Sequence, residues 1–305
     1  MVPAVYLVIL VDADPPGRYP EGRPGGRGFY PPGVSGASPD YAALRKQLDT
    51  ALTVVADHVS GRAVFTVHTS PLFRNQMFES PYISHWTRVL ESGGELALHP
   101  HEDRPDGTTY FDDAVHLAHA VMSCVKAAAD AGLPLAAFRT GFFAFNDSLP
   151  RTLERSGITV DLSPAPGINV PERGACWPEG FRSATYLCPG RYTDLSCNHG
   201  KSRVISIPIG WDGTGRDLGK NYLFSERSTP DNLKRVWDAL CERSHVEGSP
   251  QLVNFLCHGS GLMDAKYRTQ AIDFFHYAQA HGGQVALPSE AHEIYAKKIR
   301  RVSGP

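Results

Sequence analysis

Several residue types that do chemistry recur in this chain at short, regular spacing. Asp12 and Asp14 stand two apart at the end of an apolar run, and His99-Pro100-His101-Glu102-Asp103 ends another. Arg139, Asp161 and His258 each close a further short apolar stretch. Residues i and i+2 of an extended chain point the same way, so Asp12 and Asp14 can face one site, as can His99 and His101. A catalytic metal takes three protein ligands and keeps a position open for water. Asp14, His99 and His101 would supply the three, with Asp103 as an alternative to one imidazole. Asp12 would then be free to accept a proton from the activated water. The pattern is that of a mononuclear metal hydrolase.

Such residues act together only if the fold brings them together. Strands are expected at Tyr6–Val11, Ala63–His68, Glu95–His99, Leu135–Arg139, Ile158–Asp161, Val204–Ile209, Leu252–Cys257 and Gln284–Leu287. Helices are expected between them. Ser38-Pro39 supplies a cap and first-turn proline for Tyr41–Val59, and Ser80-Pro81 the same for a helix stopping near Gly93-Gly94. Further helices run from Asp112 to Ala131, from Thr229-Pro230 to about Arg243, and over Asp264–His281. Strand and helix alternating in this way build a parallel sheet, and seven or eight such units favour a (β/α) barrel. In a barrel the C-terminal strand ends meet at one mouth, where all of these acids and imidazoles lie.

Length and composition fit this reading. The 305 residues carry a net charge of -2, with 42% hydrophobic and 20% charged residues. That is a globular composition without the basic surplus a nucleic-acid-binding protein needs. The apolar stretch Ala4–Val11 is short, lacks a basic leader and runs straight into Asp12, so it reads as a buried strand. No run approaches the length needed to span a bilayer. A cytoplasmic protein without nucleic-acid or membrane partners is expected. The six cysteines form no C-x-x-C pair and suit a reducing compartment. Cys188, Cys197 and His199 match no familiar zinc module and read as free thiols in an irregular segment. His58, His116 and His119 read as helix-surface residues.

Glycine (29) and proline (24) are in surplus. They concentrate in two long loops, 15–39 and 162–203, expected to rise over the mouth of one domain spanning 1–305. Arg18, Arg23 and Arg27 in the first loop read as solvated charges. Trp177, Tyr192 and Trp211 are candidates for stacking on a sugar ring, with core packing an equal alternative.

In order along the chain, Asp12-x-Asp14, Gly94–His99, Phe138-Arg139-Thr140-Gly141, Gly157–Asp161 and Leu256-Cys257-His258 resemble the motifs of the NodB-type polysaccharide deacetylases, the family-four carbohydrate esterases. The resemblance runs from Tyr6 to about Tyr295. It implies a distorted (β/α) barrel, a divalent metal that is usually zinc, and hydrolysis of an N-acetyl or related amide. It further implies that Asp12 is the catalytic base, Asp14 and His99 are metal ligands, and Arg139 pairs with the base. Asp161 would tune the last histidine, and His258 would be the general acid. Two departures stand out. The usual adjacent acid pair is spread to Asp-x-Asp, and Asp103 occupies the place of the second metal histidine, which makes His101 the favoured replacement. Export is usual for members acting on polymers; here a small-molecule or oligosaccharide N-acyl substrate is expected. A cyclic amide or ureide hydrolase and a non-catalytic carbohydrate-binding barrel are the alternatives. Barrels of this kind often form homo-oligomers, on which the sequence is otherwise silent.

Overall fold

In the computed structural model, residues 4–18, 24–27, 38–104, 108–196 and 202–302 are described. Nine strands form the main sheet: β1 Val5–Asp12, β2 Val64–Thr69, β3 Glu95–Pro100, β4 Leu135–Phe138, β5 Val160–Asp161, β6 Thr185–Tyr186, β7 Ile205–Ser206, β8 Gln251–His258 and β9 Gly283–Ala286. Its order is β6-β7-β5-β4-β3-β2-β1-β8, with β9 also paired to β1. All pairings are parallel except β6 with β7. All eight strands expected from the sequence are present, and β6 is an antiparallel addition.

The segment VYLVILVD of β1 is apolar on both faces, as a strand covered on both sides must be. It pairs over its whole length with β8, and on its other edge with β9 below and β2 above. The sheet curls until the chain leaving β7 meets β8. Asn254 donates its backbone N–H to Pro208 O at 2.7 Å, and Gly210 N–H donates to Asn254 O at 2.8 Å. The Asn254 side chain donates to Ile207 O at 2.8 Å across the same seam. Further up, Leu256 N–H reaches Leu223 O at 2.9 Å. The result is a distorted (β/α) barrel.

Helices α1 Tyr41–Val59, α2 Ile83–Glu91, α3 Ala114–Asp130, α4 Leu149–Ser156, α5 Pro230–Val246, α6 Ala265–Ala280 and α7 Ala291–Val302 accompany the strands. In α1 the buried Leu44, Leu48, Ala51, Val55 and Val59 recur at helical spacing and form its core face. Thr229 and Asp264 cap α5 and α6 through their side-chain oxygens, with Pro230 in the first turn of α5. Two expected starts differ. Asp40, not Ser38, caps α1, because Ser38-Pro39 pairs with Gly17-Arg18 as an edge of a small antiparallel sheet. Ser80-Pro81 is joined by a cis peptide, and α2 begins after it at Ile83 without a side-chain cap. No helix among the described residues is long and apolar enough to cross a membrane.

The loop 15–39 contributes short strands at Pro16–Arg18, Pro24–Arg27 and Ser38–Pro39; Arg23 and the rest of the loop, with the side chains of Arg18 and Arg27, lie outside the described residues. In the second loop the aromatic residues are core anchors. Trp177 and Tyr192 are buried with Phe145, their polar ends bonded to Phe143 O at 2.7 Å and Cys176 O at 3.0 Å. Trp211, beyond that loop, is likewise buried at 1% exposed and donates to Gly215 O. None offers a free face to a sugar, because each ring is enclosed and its N–H or O–H is used internally. Cys188 is disulfide-bonded and so is not the free thiol expected. Cys197 and His199 lie outside the described residues.

Candidate metal centre

Strand register assembles the site. Asp12 of β1 is paired with His258 of β8, and His68 of β2 with His99 of β3. Arg139 follows β4 directly, and Phe138 pairs with Asp161 of β5. Six neighbouring strands therefore deliver residues at or beside their C-terminal ends to one end of the barrel, where a (β/α) barrel places its chemistry.

Asp14, His68, His99 and His101 each offer a ligand atom there, all within 4.8 Å of one another. Asp14 Oδ1 lies 2.7 Å from His68 Nδ1 and 3.5 Å from His99 Nε2. His99 Nε2 in turn lies 3.0 Å from His101 Nε2. His99 Nδ1–H donates to Arg139 O at 2.9 Å, which fixes the ring and leaves the Nε2 lone pair directed inward. Burial pushes the His99 imidazole below its usual range. Burial and the neighbouring His68 and His99 push His101 further down. Asp14 is drawn well below the usual carboxylate range: burial opposes this, but the charge and hydrogen bond of His68 outweigh it. His99 and His101 are thus held toward the neutral form beside an ionised Asp14, the protonation state a metal requires of its ligands. His68 Nε2 and His101 Nδ1 are buried and have no partner among the described residues. The set of one oxygen and several nitrogen donors fits a borderline divalent ion such as zinc.

Gly141 makes room for this arrangement. A Cβ built there would stand 2.7 Å from the His101 ring. The next two residues, Phe142 and Phe143, take left-handed backbone angles with φ of 56° and 59°. The edge of Phe142 then packs on His101 at 4.9 Å between ring centroids. Backbone held in that region by its surroundings is typical of ligand-binding segments.

Asp12 stands beside the donor group, 4.0 Å from His99 Nε2. It is 1% exposed and accepts from Arg139 Nε on both oxygens, at 2.9 and 3.1 Å. Arg139 rests over Phe143 at 4.9 Å. His258 approaches from the other side, its Nε2 4.0 Å from Asp14 Oδ2.

Two expected positions are differently placed. Asp103 is outside the donor group: it forms a backbone bridge with Thr109, and burial raises its carboxyl to about 6. Asp161 does not reach His258. Its Oδ1 accepts from Ser163 N–H and Oγ–H, and its Oδ2 from Ser206 Oγ–H. Ser163 Oγ accepts Thr140 N–H at 3.0 Å, so Asp161 braces the Arg139-Thr140-Gly141 turn. The carboxylate on His258 is Glu226, whose Oε1 accepts the His258 backbone N–H at 2.6 Å and whose Oε2 lies 3.5 Å from Nδ1. Burial works against charge on His258, but Glu226, with Asp12 and Asp14 behind it, raises its pKa to about 9. His68 and Glu226 were not among the residues singled out from sequence. His116, expected on the surface, binds Glu102 at 2.6 Å.

No protein-family model and no curated protein matches the sequence. Among solved structures, a polysaccharide deacetylase from Mycobacterium smegmatis superposes with a TM-score of 0.59 at 13% identity, covering 98% of this chain and 92% of that one. A polysaccharide deacetylase from Pseudomonas aeruginosa PAO1 gives 0.60 at 10% identity, over 97% and 92%. PuuE allantoinase gives 0.58 at 9% identity, over 96% and 90%. The barrel of this chain is therefore the NodB-type fold that these polysaccharide deacetylases share.

Proposed function

We propose that the protein is a metal-dependent amide hydrolase that removes an acetyl or similar acyl group from an N-acylated sugar or small amide. The observation that carries this reading is the buried Asp12–Arg139 pair set against a cluster of one carboxylate and buried imidazoles, with a charged His258 facing it. Asp14, His99 and His101 would hold the ion. When bound, a divalent ion polarises the acyl carbonyl and acidifies water. Asp12 takes the proton of the attacking water, and Arg139, bonded to both of its oxygens, orients the carboxylate for it. Asp161, through Ser163, holds the Arg139 turn in place. His258, positioned by Glu226, delivers a proton to the departing amine nitrogen. Both oxygens of the reacting acid and both nitrogens of the leaving-group acid thus have defined neighbours before substrate arrives.

Chelation is expected to abolish acetate release from N-acetylated amino sugars and small N-acetyl amides, and one equivalent of zinc to restore it. Full turnover by metal-free protein would overturn the proposal. The fold shared with PuuE allantoinase supports a second reading, a cyclic amide or ureide hydrolase. Assaying ring-opening of cyclic ureides in the same preparations separates the two.

The proton donor has its own test. His258 is charged below its raised pKa and loses its proton as pH rises, so kcat should fall along an alkaline limb at or below about 9. A bound cation moves that limb down, never up. Glu226→Gln removes the main source of the upward shift, so the limb should move toward the usual imidazole value of about 6.5. A limb unchanged in the variant assigns the donor elsewhere.

A further inference from the structure

We infer that His68 is itself a metal ligand, so that this centre holds its cation with three imidazoles and one carboxylate. The inference rests on the metal dependence proposed above and goes beyond the ligands that the resemblance implies.

In this chain the place of the second metal histidine, four residues after His99, is taken by Asp103, which lies outside the donor group and bridges to Thr109 through its backbone. The lost imidazole is replaced from two directions. His101, two residues after His99, turns toward the same side. His68 comes from the adjacent strand at the position directly paired with His99. The rings of His68 and His101 stack at 4.5 Å with 14° between their planes, and both meet His99 edge-on. The three imidazoles therefore form a wall rather than a row, with their nitrogens turned to Asp14. Ligand atoms about 2.0–2.2 Å from one ion can be at most about 4.4 Å apart, so a 4.8 Å cluster closes on a cation with only small side-chain shifts.

The competing role is that of an outer partner, a histidine that orients Asp14 without touching the ion. Such a partner is expected on the carboxylate oxygen turned away from the metal. His68 Nδ1 instead sits on Oδ1, the oxygen that also faces His99 Nε2. Oδ2 points to His258. His68 is fully buried, and its Nε2 has no partner among the described residues, so no second acceptor holds the ring in an outer role. With Asp14, His68, His99 and His101 as donors, water or a substrate carbonyl would enter as a further ligand, an expansion zinc tolerates. An imidazole-rich set also suits iron(II), nickel and copper.

The full-length protein loaded with one equivalent of zinc decides the matter. X-ray absorption fine structure at the zinc edge should count three imidazoles in the native protein and two in His68→Gln. His101→Gln, reduced to two in the same way, is the control. Zinc affinity of His68→Gln, measured by competition with a chromophoric chelator, should fall by more than about 100-fold, beyond the usual effect of an outer partner. Two imidazoles in the native protein, or a count unchanged in His68→Gln, overturns the inference and leaves the hydrolase reading standing. Failure of the native protein to bind zinc, or any other divalent ion, overturns both. The native count needs no variant, so poor folding of His68→Gln does not remove the test.

Discussion

Asp12→Asn is expected to lower kcat by about 10²–10⁴-fold, the usual contribution of a positioned general base, while bound metal is retained. The amide keeps the size of the carboxylate and can still accept from Arg139, but it cannot take a proton from water. Asp12 is not among the four clustered donors, so metal content should stay near one equivalent. KM should change much less than kcat, because the lost interaction belongs to the reacting atoms. Arg139 is 4% exposed and would lose its only charged partner among the described residues, so a fall in stability accompanies the change. Circular dichroism below the variant's unfolding transition separates that effect from the catalytic one. Turnover within a factor of about three of native in folded, metal-loaded Asp12→Asn would exclude this residue as the base.

The site divides into what the chain order reveals and what only register reveals. Asp12, Asp14, His99, Arg139 and His258 are legible because each ends an apolar run, and parallel strands bring their ends together. His101 is legible from the two-residue period. His68 is different: it sits inside VFTVHT, fully buried, where a lone histidine reads as a satisfied core residue. Its meaning appears only when β2 and β3 pair, because a shift of one residue would turn it to the other face. Glu226 lies in the aperiodic stretch between β7 and α5, where charge ordinarily marks solvent. It reaches His258 because the chain around Leu223 and Phe224 runs along the free edge of β8. Asp161 shows the opposite limit: its place at a strand end is legible, yet Ser163 and Ser206, both close in space, claim its oxygens first. The aromatic residues of the second loop suit stacking and packing equally by type. What decides is where their N–H and O–H groups bond, which no pattern of spacing encodes.

Arg74→Met is expected to destabilise the protein by about 3 kcal/mol at neutral pH, the low end of the cost of breaking a buried ion pair, because His116 still bonds the carboxylate. Glu102, between His101 and Asp103, is fully buried, and each of its oxygens accepts one N–H of the Arg74 guanidinium at 2.7 Å. His116 Nε2 lies 2.6 Å from Oε2. Burial alone would raise this carboxyl, but His116 and Arg74 together draw it below its ordinary value of 4.5. A carboxylate lowered in this way stabilises the native state above its unfolded pKa, and that contribution is lost as pH falls through the lowered native value. Without Arg74 the native pKa rises. Glu102 then takes up a proton at higher pH than in the native protein, so the deficit is greatest at neutral pH and shrinks as the solution is acidified. Urea unfolding of native and variant protein at pH 7 and pH 5 checks both the size and its direction. A loss under about 1 kcal/mol at pH 7, or one that does not diminish at pH 5, would show that Arg74 does not carry the charge of Glu102. Arg74→Met combined with Glu102→Gln should recover most of the loss, since the pair is then removed rather than broken. The same double variant leaves His101 on a segment no longer tied to Arg74, so recovered stability with weakened zinc binding would mark the ion pair as the brace of that ligand.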